Sequence, residues 1–139
     1  MDTVLLGTGL LGEAMGLRLL AQGHRLTVWN RTPQRCQRLL DAGAALAPTA
    51  AAAVAAGELV LTVLADGAST TAVLLEQAAA DLAGRLVIQM ATIAPSESLG
   101  LAEALAALDC AYLEAPVLGS RPEALAGNLQ VMVGGGDAE

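Results

Sequence analysis

Thr3-Val4-Leu5-Leu6-Gly7-Thr8-Gly9-Leu10-Leu11-Gly12 is the stretch that decides the fold. Its first four residues form an apolar run that predicts a strand, and a Gly-x-Gly-x-x-Gly pattern follows without a gap. Apolar residues at helical spacing then continue to Gly23, and residues 25–29 predict a second strand. The glycine pattern alone is weak evidence. Between a strand and a helix, in a βαβ unit of about 30 residues, it is typical of a dinucleotide phosphate site.

Each glycine of this turn has its own expected role. Gly7 permits the tight turn, Gly9 lets the backbone approach a pyrophosphate, and Gly12 lets the helix pack closely against its strand. The N-terminus of the helix offers free N–H groups and a partial positive charge to phosphates. We therefore expect a dinucleotide to bind here, against the alternative of an ordinary strand-to-helix turn. The expected binding residues are Gly7, Gly9, Leu10, Leu11 and Gly12.

The end of the second strand indicates which dinucleotide binds. A site that prefers NAD carries Asp or Glu about 20 residues beyond the glycines, where it binds the ribose 2′-hydroxyl. Asn30, Arg31 and Thr32 occupy that place here, with no acid among them. A guanidinium binds a 2′-phosphate through charge-assisted hydrogen bonds, and Asn30 and Thr32 can add neutral ones. The sequence therefore predicts NADP, with a solvated arginine and an ordinary helix N-cap as the alternative.

Apolar runs alternate with helical patterns along the rest of the chain. Further strands are expected at 44–46, 59–64, 85–90, 110–113 and 129–133, helices at about 10–22, 33–42, 50–56, 67–84 and 95–107, and a loop at 114–127. Thr32, Thr49 and Asp66 are the expected N-caps of three of these helices. The alternation predicts an α/β fold, a Rossmann-like, doubly wound and mainly parallel sheet with helices on both faces.

Ligands of such sheets lie beyond the C-terminal ends of the strands. The polar or glycine-rich segments at those ends are therefore further candidates, namely 65–67, 91–95 and 115–121. In and beside the first of these segments, we expect Leu64, Ala65 and Asp66 to contact the cofactor.

Composition narrows the class of protein. The chain has 139 residues, of which 55% are hydrophobic, and only Trp29 and Tyr112 are aromatic, so one domain with a Leu, Val and Ala core is expected. The net charge is −7, but residues 1–40 carry five arginines against two acids. A basic first unit in an acidic protein suits an anionic ligand, whereas nucleic acid would require a broader basic surface. For Arg18, Arg35 and Arg38 individually, a solvated arginine is the favoured interpretation.

Several other classes of protein do not fit. No apolar run approaches the roughly 20 residues that span a bilayer, and the start lacks the basic segment of a signal peptide, so a cytoplasmic protein is expected. Cys36 and Cys110 have no metal or redox spacing and are interpreted as buried, reduced thiols. The single histidine, His24, excludes a His-based metal centre.

Four ordered motifs, covering nearly all 139 residues, resemble the β-hydroxyacid dehydrogenase family. This family includes 3-hydroxyisobutyrate dehydrogenases, glyoxylate and succinic semialdehyde reductases and, more distantly, imine reductases. The glycine turn with Met15-Gly16 and Gly23-His24 resembles the family's opening, and Trp29-Asn30-Arg31-Thr32 is similar to its NADP-preferring members. Residues 91–95 resemble its Ser-Thr-Ile-Ser-Pro segment. Residues 114–122, 127–129 and 131–135 resemble its substrate loop and following strand, and residues 119–122 favour the glyoxylate and succinic semialdehyde reductase branch.

The resemblance implies hydride transfer between NADPH and a small carbonyl compound or 3-hydroxy acid. It places Thr92 near the nicotinamide and the substrate, and Leu118, Gly119 and Ser120 against the substrate. Leu118, Ala91 and Ala94 stand where the family usually has serine. These differences fit a less polar substrate, or one held by the backbone N–H groups of Gly119 and Ser120. The alternative is that this loop packs internally.

The resemblance also implies that a part of the enzyme is missing. Family members continue into a helical domain that supplies a catalytic Lys and a neighbouring Asn, whereas this chain contains no lysine. We therefore expect residues 1–139 to be an NADP-binding domain without catalytic residues or turnover of its own. His24 and Tyr112 are interpreted as structural. A homo-oligomer would depend on the missing domain. The alternatives are a stand-alone, non-enzymatic nucleotide-binding or interaction domain, and an imine reductase relative.

Overall fold

The computed structural model describes residues 2–133. Gly134 and Gly135, which belong to the last of the four motifs, and the segment 136–139 lie outside the described residues.

The core of the molecule is a six-stranded sheet with strand order β3-β2-β1-β4-β5-β6. All five neighbouring pairs are parallel. The strands are β1 (Thr3–Leu6), β2 (Leu26–Trp29), β3 (Ala45–Leu46), β4 (Leu59–Thr62), β5 (Leu86–Gln89) and β6 (Ala111–Glu114). The order reverses between β1 and β4, as in a doubly wound fold. The predicted α/β architecture is therefore confirmed.

Helices cover both faces of the sheet, and alternate residues of β1 supply the two cores. Leu5 packs with residues of β2, β4 and the 33–41 segment on one face, beneath the helices α1 (Leu10–Ala21) and α2 (Gln37–Asp41). On the other face, Val4 and Leu6 pack with residues of α3 (Ala50–Ala55), of α5 (Pro95–Ala107) and of the segment that follows α4 (Gly67–Thr71). Every residue of β1 is buried, as expected for the central strand of a parallel sheet.

Two predicted helices are less regular than the sequence indicated. The 33–42 helix begins as a 3₁₀ turn, Pro33–Cys36, and only then becomes α2. Thr32 stands at its N-cap, but the predicted side-chain cap is wrong, since that side chain makes no cap hydrogen bond. Its carbonyl oxygen instead accepts from the Arg35 N–H and the Asn30 side chain. Thr49 does cap α3, with its hydroxyl 3.0 Å from the Ala52 N–H.

The predicted continuous helix at 67–84 is also wrong. Asp66 caps it as expected, but α4 widens into a π-helix at Ala72–Gln77 and ends in a 3₁₀ turn at Ala79–Asp81. The buried positions Thr70, Leu74, Ala78 and Leu82 recur every four residues. Because this spacing exceeds the 3.6-residue period of an α-helix, a wider turn keeps them on one face.

The segment 114–127, predicted as a loop, contains a short strand and a helix. Strand β7 (Val117–Leu118) pairs antiparallel with β8 (Gln130–Val131), in a small sheet separate from the main one. Helix α6 (Arg121–Ala126) begins after Ser120, whose N–H donates to the Glu123 carboxylate, and ends at Gly127 with φ of 76°. The Ser-x-x-Glu spacing with a proline in the first turn and a glycine at the end was the missed signal.

The remaining strands were predicted within one to two residues of their observed ends. The helix at 95–107 matches α5, the longest described helix, with 13 residues. None of the described helices combines the length and the apolarity that a membrane span requires. Cys36 and Cys110 are free and buried, as interpreted.

Candidate functional site

A cleft of about 860 Å³ opens at the C-terminal ends of β1, β2, β4 and β5. This is the edge of the sheet where the strand order reverses, and the volume lies in the range of small-molecule sites. Eleven of the predicted cofactor residues line the cleft: Gly7, Gly9, Leu10, Leu11, Gly12, Asn30, Arg31, Thr32, Leu64, Ala65 and Thr92. Their contact with a cofactor stays a prediction.

The three glycines of the turn differ in what the fold demands of them. Gly7 has φ of 102°, and a Cβ on it would collide with the Val63 carbonyl. A Cβ on Gly12 would collide with the carbonyl oxygen of Gly7. Around the place of a Gly9 Cβ, by contrast, no atom of the described residues lies within 4 Å. The fold therefore requires glycine at 7 and 12, whereas at Gly9 the missing side chain leaves open space in the cleft.

Helix α1 presents its N-terminus to this open space. Gly9 is its N-cap and has no side chain to bond the first-turn N–H groups. The Gly9 carbonyl accepts from the Glu13 N–H at 2.8 Å, which closes the first turn. The first N–H groups of the helix therefore remain available to an anion, which the helix dipole also favours.

Asn30 joins the glycine turn to the end of β2. Its Oδ1 accepts from the Thr8 N–H at 3.0 Å, and its Nδ2 donates to the Thr32 carbonyl at 3.1 Å. The hydroxyl of the buried Thr8 lies 3.6 Å from the Cys36 thiol. Asn30 thus fixes the shape of the turn, a role that sequence reasoning missed. One Nδ2 hydrogen remains for a ligand.

Two guanidinium groups, of Arg31 and Arg35, lie at the β2 end of the cleft. Both residues are exposed, and neither takes part in an ion pair among residues 2–133. Arg35 lies in the 3₁₀ turn Pro33–Cys36 and lines the cleft together with Arg31. Its exposure agrees with the interpretation of Arg35 as a solvated arginine, but sequence reasoning did not place it at the cleft.

Gln89 supports the loop that follows β5. It is fully buried, and its side-chain amide bonds both the carbonyl and the N–H of Ala91, at 2.6 and 2.8 Å. This pair of hydrogen bonds fixes the backbone just before Thr92, which is exposed at the cleft. A polar residue in a buried strand was the signal that sequence reasoning passed over.

Asp66 is turned toward its own helix. Its carboxylate accepts from the Ser69 N–H at 2.7 Å, and this hydrogen bond lowers the pKa of Asp66 below its ordinary value. Asp66 does not line the cleft, whereas Ala68, Ser69 and Ala72 of the following helix do. Further lining residues not predicted as binding residues are Trp29, Val63, Val73, Gln77, Met90, Ala91 and Val117.

The predicted substrate residues lie mostly beside the cleft. Val117 lines it, but Leu118, Gly119 and Ser120 do not. All three are exposed, Leu118 at the end of β7 and the other two on the segment that joins β7 to α6.

The two side chains interpreted as structural lie away from the cleft. His24 lines a small depression with Thr3, at the opposite end of the sheet. Tyr112 is buried, its hydroxyl lies 2.8 Å from the Ser98 hydroxyl, and burial raises its pKa. Among residues 2–133 no three His, Cys, Asp or Glu side chains form a group that could hold a metal ion.

Comparison with models of known protein families identifies a dinucleotide-binding family. Residues 2–139 match the model of the NAD binding domain of 6-phosphogluconate dehydrogenase.

Among curated proteins, the chain is 36% identical to a 3-hydroxyisobutyrate dehydrogenase of Pseudomonas aeruginosa, over 96% of this chain and 46% of that protein. It is 30% identical to glyoxylate/succinic semialdehyde reductase 1 of Arabidopsis thaliana, over 99% of this chain and 49% of that protein. It is also 32% identical to the cytokine-like nuclear factor N-PAC of Drosophila melanogaster, over 94% of this chain and 22% of that protein. The chain thus spans half or less of the length of these relatives.

Solved structures agree with the fold. An imine reductase of Streptomyces aurantiacus superposes with a TM-score of 0.93 and 30% identity, over 99% of this chain and 48% of that one. A reductive aminase of Aspergillus terreus, solved with NADPH and ethyl-5-oxohexanoate, superposes with a TM-score of 0.83 and 31% identity, over 88% of this chain and 42% of that one.

Proposed function

This chain belongs to the family of the NAD binding domain of 6-phosphogluconate dehydrogenase, and from that premise we propose that it is the NADP-binding domain of a reductase. The complete protein would transfer hydride between NADPH and a small carbonyl compound or 3-hydroxy acid, of the semialdehyde or glyoxylate type. Members of the family are oxidoreductases. Residues 1–139 would hold the dinucleotide, and a helical domain outside this sequence would supply the catalytic acid.

One observation carries the dinucleotide part of the proposal. Gly9 faces open space at the N-terminus of α1, although no residue within 2–133 requires a glycine there. A phosphate could approach the backbone at this point, beside free N–H groups and the positive end of the helix dipole. The turn itself is held by Asn30, whose Oδ1 accepts from the Thr8 N–H at 3.0 Å.

The arginines at the end of β2 support NADP. A ribose 2′-phosphate carries negative charge, and Arg31 and Arg35 present two guanidinium groups without acidic partners among the described residues. The 30–35 segment contains no Asp or Glu to repel the phosphate. The reductive aminase that shares this fold was solved with NADPH. Arg35 therefore joins Arg31 as a proposed 2′-phosphate residue.

The opposite end of the cleft would hold the nicotinamide and the substrate. Thr92, Ala91 and Val117 line that region, and Gln89 fixes the backbone beside Thr92. Bound NADPH supplies a hydride, and the reaction also requires an acid that protonates the carbonyl oxygen. The 139 residues contain no lysine. We therefore assign cofactor binding and substrate orientation to this chain, and the proton transfer to the remainder of the protein.

The test is a titration of this chain with NADPH and with NADH, followed by the fluorescence of the reduced nicotinamide. Saturable NADPH binding that is clearly tighter than NADH binding is expected. Equal or tighter NADH binding would refute the NADP assignment. A reductase assay with glyoxylate and succinic semialdehyde is expected to show negligible turnover by this chain alone, and rapid turnover would refute the assignment of the acid to another domain.

The relative N-PAC supports a second candidate function. N-PAC is named a cytokine-like nuclear factor, and it matches 94% of this chain. A non-enzymatic nucleotide-binding or interaction domain would use the same cleft without hydride transfer. Reading the gene beyond codon 139 separates the two: a following helix with Lys-x-x-x-Asn supports the reductase, and its absence supports the binding domain.

The imine reductase neighbour supports a third candidate, an enzyme for C=N reduction. Its TM-score is 0.93, and Trp29-Asn30-Arg31-Thr32 fits that group as well. The segment 114–122, which resembles the hydroxyacid dehydrogenase substrate loop, argues against it. An assay of the complete protein with a cyclic imine and with succinic semialdehyde, both with NADPH, distinguishes the two by which substrate is turned over.

A further inference from the structure

We infer that Glu13 and Arg121 are a positioning pair, which fastens α6 and the segment before it to the first turn of α1. The inference rests on the proposed function, because α1 begins at the turn that would hold the dinucleotide. Arg121 Nη2 lies 3.0 Å from Glu13 Oε1, and the two side chains are only 27% and 17% exposed. Partial burial reduces screening by salt, so this pair is stronger than a fully exposed one.

Glu13 is bonded to both structures that the proposal connects. Its N–H donates to the Gly9 carbonyl at 2.8 Å and so closes the first turn of α1. Its carboxylate accepts from Arg121, the first residue of α6. Glu13 therefore contacts the first turn of α1 through its backbone and the start of α6 through its side chain.

Apolar packing determines how α6 lies on α1, and the ion pair holds its N-terminal end. The buried Ala124 packs with Ala14 and Met15 of α1. At the far end of α6, Arg18 lies over Gly127, where a Cβ would be 2.8 Å from the Arg18 Nε. The pair Glu13–Arg121 is adjacent to Ser120 and thus to the exposed segment that leads back to Val117 in the cleft.

The pair also affects the charge near the proposed phosphate site. Glu13 lies in the first turn of α1, one turn from Gly9. A carboxylate at this position is stabilised by the positive end of the helix dipole, but it would repel a bound pyrophosphate. The guanidinium of Arg121 offsets that repulsion, so loss of Arg121 has two effects: α6 is less firmly held, and Glu13 is less well neutralised.

Arg38 provides a matched control. Its Nη1 lies 3.6 Å from the same Glu13 oxygen, but its side chain is 69% exposed and it belongs to α2. Arg38→Met removes a positive charge near Glu13 without touching α6.

The experiment measures two quantities in this chain, the hydrogen exchange of peptides within 117–127 by mass spectrometry and the dissociation constant of NADPH. Arg121→Met is expected to raise exchange in this segment by about two- to fivefold and to weaken NADPH by a similar factor. Glu13→Gln should raise exchange but not weaken NADPH. The double variant should recover NADPH affinity to within about twofold of wild type while exchange stays fast. Arg121→Lys should retain most of both properties, and Arg38→Met should leave exchange unchanged.

Unchanged exchange in Arg121→Met, or an equal rise in Arg38→Met, would refute the positioning pair. A double variant that binds NADPH as weakly as Arg121→Met would refute the role of Arg121 in neutralising Glu13. Wild-type chain that fails to bind NADPH would refute the proposed function, while the exchange measurements would still decide whether the pair holds α6.

Discussion

The carbonyl oxygen of Gly7 occupies the space that a side chain on Gly12 would need. The start of α1 is therefore packed against the turn that precedes it, and the position of the Gly7 carbonyl is one reason why residue 12 must be glycine. Gly9, between them, has no such restriction. Within this motif, Gly7 and Gly12 are therefore required by the fold, whereas the glycine at position 9 is explained by the proposed ligand.

Alanine substitutions at Gly12 and Gly9 should therefore affect different properties, namely the stability of the fold and the affinity for NADPH. Gly12→Ala should destabilise the protein by about 1–3 kcal/mol, because the new methyl group overlaps the Gly7 carbonyl. Gly9→Ala should leave the melting temperature near that of the wild type and weaken NADPH by about tenfold or more, or about 1.4 kcal/mol. Thermal unfolding and NADPH titration measure the two effects. A Gly9→Ala variant with unchanged NADPH affinity would contradict the assignment of this space to a phosphate.

Removal of the cleft arginines should change the preference between dinucleotides. Arg31→Ala should weaken NADPH by about 10- to 100-fold, the usual cost of a lost charge-assisted hydrogen bond, and leave NADH nearly unchanged. Arg35→Ala should act in the same direction. Arg38→Ala, a similar change on the neighbouring exposed helix, serves as the control and should leave the ratio of NADPH to NADH affinity unchanged. Equal losses for both dinucleotides in Arg31→Ala would show that Arg31 does not contact the 2′-phosphate.

Arg85 should matter for stability but not for binding. Its Nε donates to the carbonyls of Val54 and Gly57 at 2.7 and 3.0 Å, and its other nitrogens reach the carbonyls of Ala55 and Ala83, so it caps the C-terminus of α3 far from the cleft. Arg85→Met should reduce the free energy of unfolding by about 1–3 kcal/mol, because these carbonyls lose a charged donor. Urea unfolding measures the change. NADPH affinity in the folded variant should equal that of wild type, and a large loss would contradict this separation of roles.

The contribution of Asp66 to stability should depend on pH. The Ser69 N–H lowers the pKa of Asp66 from its ordinary value of 3.8. Because the folded pKa lies below the unfolded one, the charged cap stabilises the protein fully above about pH 4, and this contribution is lost as the pH falls through the lowered pKa. The melting temperature of Asp66→Ala should thus be lower than that of wild type at pH 7, and the difference should shrink by pH 3. A difference that is the same at both pH values would contradict this account.

Local signals predicted the first half of the fold well. The turn at Gly7–Gly12 and its flanking elements follow from glycine spacing and hydrophobic period, which act within a few residues. The caps at Thr49 and Asp66 were predicted for the same reason. Helix α6 was not predicted, because residues 114–127 were interpreted as a loop, although Ser120 and Glu123 have the spacing of a helix start.

Other features depend on how short segments pack in the folded protein. The π-helical turn at Ala72–Gln77 arises because buried positions spaced by four must share one face against the sheet. Arg35 lines the cleft from a 3₁₀ turn, where the sequence predicted the start of a regular helix. The contact between Glu13 and Arg121 joins residues far apart in the chain, and neither residue carries a local sign of the other.

The central position of β1 has a consequence for the order in which the site is built during synthesis. Leu6 pairs with Trp29 on one side and Thr62 on the other, and the Val63 N–H donates to the Leu6 carbonyl at 2.9 Å. The Val63 carbonyl also limits the space at Gly7. While β4 is still inside the ribosome, the glycine motif therefore lacks its contacts with Val63, although its own residues have already emerged. Parallel pairings between distant strands form late because the intervening chain must close first. The turn at Gly7–Gly12 is therefore complete only once Val63 has left the exit tunnel.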